Sequence, residues 1–202
     1  HTSYLECREQ KAEVNIEERL ALTEIDQTFY NPTGSRLEGY FIFPIPKNSV
    51  IKKFTMFING VETEAELLPA PKAKKIYEDI VRSMKDPALL EYSNQGLFRV
   101  RIFPIEPRSE KRIRISYSEV LPMDNGTMEY SYGLKTRKFS QANGCNFSIK
   151  VDVNSKDKIK NLYSPTHIAE INSKGPNHSV VGFESSDVSS EQDFRLYFST
   201  DN

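Results

Sequence analysis

Apolar and polar residues alternate along most of this chain, and in one stretch they do not. Ala12, Val14 and Ile16 fall on one side of an extended segment, with Lys11, Glu13 and Asn15 on the other. That period of two is the mark of a half-buried strand. Leu20 to Tyr30 is a second extended run, and it ends at Asn31-Pro32-Thr33-Gly34, which carries strong turn chemistry. Leu37 to Ile45 predicts a third strand whose prolines confine its end to an edge or a break. Phe54, Met56 and Ile58 alternate with Thr55 and Phe57 before Asn59-Gly60, a hairpin signal, with Val61 to Leu67 as the return strand. Further on, Val100 and Ile102 oppose Arg99 and Arg101, and beyond a proline-bearing loop Ile113, Ile115 and Tyr117 oppose Arg112 and Arg114.

Between these strands the period changes to 3.6. Ala73, Ile76, Tyr77, Ile80, Val81 and Met84 line one face of a helix, and Lys72, Lys74, Lys75, Glu78, Asp79, Arg82 and Lys85 fill the other. Pro71 suits a first helical turn, and Pro87 ends the helix near Lys85. The spacing predicts one amphipathic helix over 71–85, packed on a sheet through Ile76, Ile80 and Met84. From Pro122 onward come short strands: Met128 to Leu134, Cys145 to Val153, Ile159 to Tyr163, His167 to Ile171, Val180 to Glu184 and Phe194 to Ser199. Strands at such spacing suggest a sandwich. The expected fold is mainly β and β-sandwich-like with one helix, residues 1–121 forming one module and 122–202 adding antiparallel strands that complete the sandwich.

Composition narrows the function classes. The chain of 202 residues can bury a core without staples, and its net charge of −1 points to neither nucleic acid nor an anionic membrane as partner. No apolar run is long enough to cross a bilayer, so no direct membrane insertion is expected. Cys7 and Cys145 can bond only if the first strand and the 145–153 strand are neighbours; spacing alone favours two free thiols. His1, His167 and His178 have no cysteine or carboxylate at ligand or triad spacing, and no glycine-rich phosphate loop exists. The expectation is no enzyme, no metal and no cofactor.

The strongest local feature is a stripe of arginines. If the 99–103 and 112–117 strands pair, Arg99, Arg101, Arg112 and Arg114 share one face of a sheet. Like charges opposed across strands are destabilising, so something must compensate. Carboxylates of a neighbouring strand, with Glu13, Glu24 and Asp26 as candidates, are the ordinary answer. A sulfated glycan or an acidic partner domain is the sharper one.

Several blocks carry a family resemblance: NPTGSRLEGYFIFPIP (31–46), FTMFINGVETEAEL (54–67), AKKIYEDI (73–80), ALLEY (88–92), LFRVRIFPIEP (97–107) and RIRISYSEVL (112–121). In that order they resemble the VIT domain, the module of inter-α-trypsin inhibitor heavy chains and vault-associated proteins, over roughly the first 120 residues. The remainder resembles the β-rich segment that, in bacterial members, joins this module to a von Willebrand factor A domain. The resemblance implies a non-catalytic interaction and scaffold module that positions an adjacent A domain and contributes to binding a protein or surface ligand. It marks Asn31, Pro32, Leu37, Glu38, Gly39, Tyr40, Phe43, Pro44, Gly60, Tyr77, Leu90, Glu91 and Phe98 as framework positions. The metal-site motif of A domains is missing, since Ser186-Asp187-Val188-Ser189-Ser190 has the wrong spacing, so an A domain is expected beyond Asn202. The family implies the cell envelope, periplasm or secretion, with the cytoplasm as the alternative.

Overall fold

The structure is a computed structural model and describes residues 5–58, 60–64, 75, 96–134, 145–186 and 192–201. In chain order its strands are β1 (Glu6–Glu17), β2 (Leu20–Tyr30), β3 (Leu37–Ile45), β4 (Val50–Ile58), β5 (Val61–Glu64), β6 (Gly96–Ile105) and β7 (Glu110–Val120). Next come β8 (Met123–Asp124), β9 (Thr127–Tyr132), β10 (Asn146–Asn154), β11 (Ile159–Tyr163), β12 (Glu170–Gly175), β13 (His178–Ser185) and β14 (Phe194–Thr200). Eight strands form one sheet in the order β12-β13-β10-β1-β2-β7-β4-β5, four form β11-β14-β9-β8, and β3 pairs with β6 alone.

Alternation decides which side chains of the large sheet turn inward. β1 buries Gln10, Ala12, Val14 and Ile16, and β2 buries Ala21, Thr23, Ile25, Gln27 and Phe29. Register stacks these into rows: Val14 lies between Thr23 and Val151, and Ile16 between Ala21 and Val153. β7 continues the rows, with Ile115 beside Ile25 and Phe54. The smaller sheet closes this face with Met128, Tyr130, Tyr132, Phe194, Leu196 and Phe198, all in one core cluster with it. Contacts cross between the sheets: Thr23 Oγ1 lies 2.8 Å from Tyr130 Oη, and the rings of Tyr132 and Phe147 are 5.5 Å apart. Two packed sheets make a sandwich, and each fully buried large side chain contributes about 1.5–3 kcal/mol.

Four expectations need correction. The described elements are all strands, and no helix is among them. Of the span 71–85 only Lys75 is described, a single exposed residue with helical backbone, so Ile76, Tyr77, Ile80 and Met84 lie outside the described residues. Among the described residues a second sheet covers the apolar face of the large sheet; a 3.6-residue period shows that a face is apolar but not what closes the core. The second correction concerns direction. β10 runs parallel to β1, so the strands after 122 are not all antiparallel. Parallel neighbours need a long crossover, and β1 and β10 are far apart in sequence. Third, the strand expected at His167 to Ile171 begins at Glu170 and runs to Gly175, where a tight turn leads into β13.

The fourth correction is the cysteines, which are bonded. The parallel pairing of β1 with β10 brings Cys7 and Cys145 to a Cα–Cα distance of 5.1 Å as a disulfide. It joins residues 138 apart in sequence, and closing so long a loop in the unfolded chain gives roughly 2–5 kcal/mol. β10, β12 and β13 therefore extend the same sheet that β1, β2 and β7 begin, across the expected boundary at 121–122.

Candidate functional site

The arginine stripe does not assemble as one surface. β6 pairs with β3, setting Arg99 opposite Ile42 and Arg101 opposite Tyr40. β7 lies between β2 and β4 in the large sheet. Arg112 and Arg114 do share the outward face, because alternation puts Ile113, Ile115 and Tyr117 inside. The neighbouring strand supplies their counter-charges. Arg112 Nε donates to Asp26 Oδ1 at 2.7 Å while its Nη2 reaches Asp26 Oδ2, a two-pronged carboxylate contact. Arg114 Nη2 donates to Asp26 Oδ2 at 3.3 Å, and its Nε lies 3.5 Å from Glu24 Oε1. Partial burial works against the charge on Asp26, but the hydrogen bond and charge of Arg112, with Arg114 behind it, hold its pKa below the ordinary value. Both guanidinium groups also lie over the ring of Phe57, at 4.5 and 5.2 Å. The cluster is a surface ion-pair network in which the carboxylate of Asp26 lies between the two guanidinium groups.

Among the framework positions, Asn31 is the best explained. It is fully buried at the end of β2, where the chain must turn toward β3. Its Nδ2 donates to the carbonyls of Ser35 (2.8 Å), Ile105 (3.0 Å) and Glu106 (3.1 Å). Its Oδ1 accepts from Thr33 N and Oγ1, and its own N–H donates to Ser109 O. One amide thus serves the buried backbone of two loops, which an apolar residue there would leave unpaired. Pro32 starts the turn, and Leu37 faces Ile105 across β3 and β6. In the same ladder Gly39 stands opposite Ile102, Phe43 opposite Phe98 and Pro44 opposite Leu97, with Glu38 at the register shift after Leu37. Gly60 takes φ +79°, the left-handed backbone a tight hairpin needs. Tyr77, Leu90 and Glu91 lie outside the described residues, as do 187–190 of the Ser186–Ser190 motif.

Chemistry-bearing groups elsewhere are held by packing. Glu119 is 7% exposed opposite Ala21, and burial pushes its carboxyl up to about 7. Such an acid is the kind a proton-transfer site uses. Here, however, its interacting neighbours Tyr117 and Tyr130 are wholly buried, and Thr23 bonds Tyr130 within the core. Burial also raises the pKa of both tyrosines. His167 packs against Phe183 and Phe194, with ring centroids at 4.8 and 5.6 Å, and burial lowers its pKa. His178 Nε2 lies 2.7 Å from Asp152 Oδ1. Among the described residues no three His, Cys, Asp or Glu side chains group to hold a metal ion. The grooves on the described surface are open, such as one of about 440 Å³ beside Met123, Asp124, Glu129, Tyr163 and Tyr197.

Alternation missed one feature of the outward face. At the end away from Arg112, Leu20 and Leu22 of β2 point outward with Val120 of β7 and Val50 of β4, and all four are exposed. The signal was present: Leu20-Ala21-Leu22 is apolar at three successive positions, where a half-buried strand should alternate. Across β2, β7 and β4 the large sheet therefore shows solvent a charged end and an apolar end.

The same architecture recurs in a putative nutrient binding protein from Legionella pneumophila, with TM-score 0.67 and 13% identity over 98% of this chain and 67% of that one. Human von Willebrand factor A domain-containing protein 5A is 27% identical over 113 residues, 55% of this chain and 14% of that protein. Human inter-alpha-trypsin inhibitor heavy chain H6 is 26% identical over 148 residues, 73% of this chain and 11% of its own length. The chain thus spans a small part of these curated relatives. The vault protein inter-alpha-trypsin domain model matches residues 7–117, from the disulfide cysteine of β1 through Tyr117 of β7, and the chain belongs to that family.

Proposed function

We propose that this chain is a non-catalytic interaction and scaffold module that positions an adjacent von Willebrand A domain and contributes to binding a protein or surface ligand. The observation that carries the reading is the family match over 7–117, together with relatives whose names place an A domain in the same protein. The geometry supports it. Two sheets share one core and a disulfide ties the neighbouring strands β1 and β10, which makes a platform whose outward face carries side chains and open grooves such as the one lined by Glu13, Leu22, Glu24 and Asp152. The disulfide is of the kind an oxidising compartment keeps, which supports a cell-envelope, periplasmic or secreted location as part of this proposal. A sulfated-glycan site on the arginines is the weaker reading, because Arg112 and Arg114 already meet Asp26 and Glu24 and an anion would have to displace them.

Calorimetry of the full-length protein tests the proposal. If the module supports an A domain, deleting residues 1–202 lowers the A-domain transition by several degrees. An A-domain transition indifferent to that deletion would count against it.

A further inference from the structure

The apolar end of the outward face on β2, β7 and β4 is one patch rather than scattered residues. Leu20 stands directly opposite Val120, Leu22 opposite Ser118, and Ser118 opposite Val50 on its other side. Residues opposed on one face of a sheet have Cβ atoms about 5 Å apart. The four side chains Leu20, Leu22, Val50 and Val120 are 54, 44, 57 and 65% exposed, with only the small Ser118 between them. Single exposed apolar residues need no explanation, whereas a contiguous group marks a surface that something covers.

A second observation concerns where the chain leaves. Asp201 N–H donates to Lys158 O at 2.9 Å, and its carboxylate pairs with Lys160 at 2.7 Å. The turn before Lys158 is tied to the β1–β2 hairpin: Ser155 Oγ donates to Glu18 Oε2 at 3.1 Å, and Glu18 N–H donates to Asn154 O at 2.9 Å. Leu20 comes two residues after Glu18. On the other flank Arg19 Nη2 donates to Leu121 O at 2.9 Å, beside Val120. The last described residue, the 155–158 turn, the hairpin and the patch thus share one end of the molecule.

We propose that Leu20, Leu22, Val50 and Val120 form the docking face for the von Willebrand A domain of the longer protein. The inference rests on the reading that this module stands beside such a domain. The curated relatives are several times longer than this chain, and the path of β14 brings the chain at Asp201 to the end that carries the patch. The patch fits a flat apolar surface, such as one side of an amphipathic helix. Glu24, next outward on β2 after Leu22, and Arg114 begin a polar rim beside it.

Hydroxyl-radical footprinting of the full-length protein tests this, read at Leu20 and Leu22 in the wild type and in a Val50→Lys/Val120→Lys variant. Both substituted positions face solvent in the module, so an unchanged module melting temperature verifies the fold. Labelling of Leu20 and Leu22 should rise about threefold or more in the variant, as a water-excluded contact opens, and should not depend on protein concentration. A second variant, Leu20→Ser read at Leu22, should show the same rise. Equal labelling in wild type and variants overturns the proposal. Protection that grows with concentration overturns it too, in favour of a second copy of this chain. A full-length protein without an A domain would remove the proposed function as well; unchanged labelling with an A domain present removes the docking face alone.

Discussion

The eight-stranded sheet has two faces built from the same strands, and they differ in what finishes them. The inner face is closed by Tyr130, Tyr132, Phe194, Leu196 and Phe198, and within it Thr23 Oγ1 lies 2.8 Å from Tyr130 Oη. The outer face is finished by charge at one end, where Asp26 joins Arg112 and Arg114, and is left apolar at the other, around Leu20 and Val120. Burial on the inner face makes the fold, so changes there should cost stability. The outer face is free to vary, and its composition reports on what meets it.

Substitutions can break that contrast. Phe194→Ala empties a fully buried site between the sheets and should cost about 3–5 kcal/mol, lowering the melting temperature by about 10 °C. A loss under about 2 °C would mean the sheets do not pack through this ring. Asn31→Ala should cost about 2–3 kcal/mol in denaturant titration, since it strands the buried Ile105 carbonyl and loses its bonds to two loops. Glu119 makes stability depend on pH. Its folded pKa, about 7, lies above the ordinary 4.5, so between those values the native state holds a proton the unfolded chain has released. Stability should fall as pH rises through that window, by up to about 3 kcal/mol. His167, with its pKa lowered by burial, acts in the opposite sense as pH falls below its ordinary value. The readout is therefore the difference between wild type and Glu119→Gln: the variant should gain relative stability from about pH 5 to 8, and parallel curves would contradict the buried placement. The smallest effect is outside. Asp26→Asn should cost about 1 kcal/mol or less, and less still in high salt, because its partners are solvent-facing arginines.

Much of this contrast was legible in the residues. The alternation of β1 separated its two faces correctly from Lys11 to Ile16, and the strand limits of β2 and β3 agree with those expected. Asn31-Pro32 marked a turn, and the structure adds the reason, an amide serving two loops. Partners were not legible. A period of two gives the face of a strand but not its neighbour, so whether β6 pairs with β7 or β1 with β10 stays open in the sequence; β6 pairs with β3, and β1 lies parallel to β10. The disulfide depends on that contact, which the spacing of the cysteines does not give. At the site, Glu24 and Asp26 were expected as counter-charges and do meet Arg114 and Arg112, because β2 lies next to β7. The exposure of the Leu20 patch is not legible in the residues, because Leu-Ala-Leu reads as part of a strand core and the pattern does not say which side a second sheet covers.

Thermal melting of two variants of one strand tests the division of faces most directly. Ile25 of β2 points inward and is fully buried, while Leu22 points outward and is 44% exposed. Ile25→Ala should lower the melting temperature by about 5 °C or more, and Leu22→Ser should shift it by less than about 2 °C. Equal losses from the two substitutions would contradict the separation of a fold-making face from a binding face.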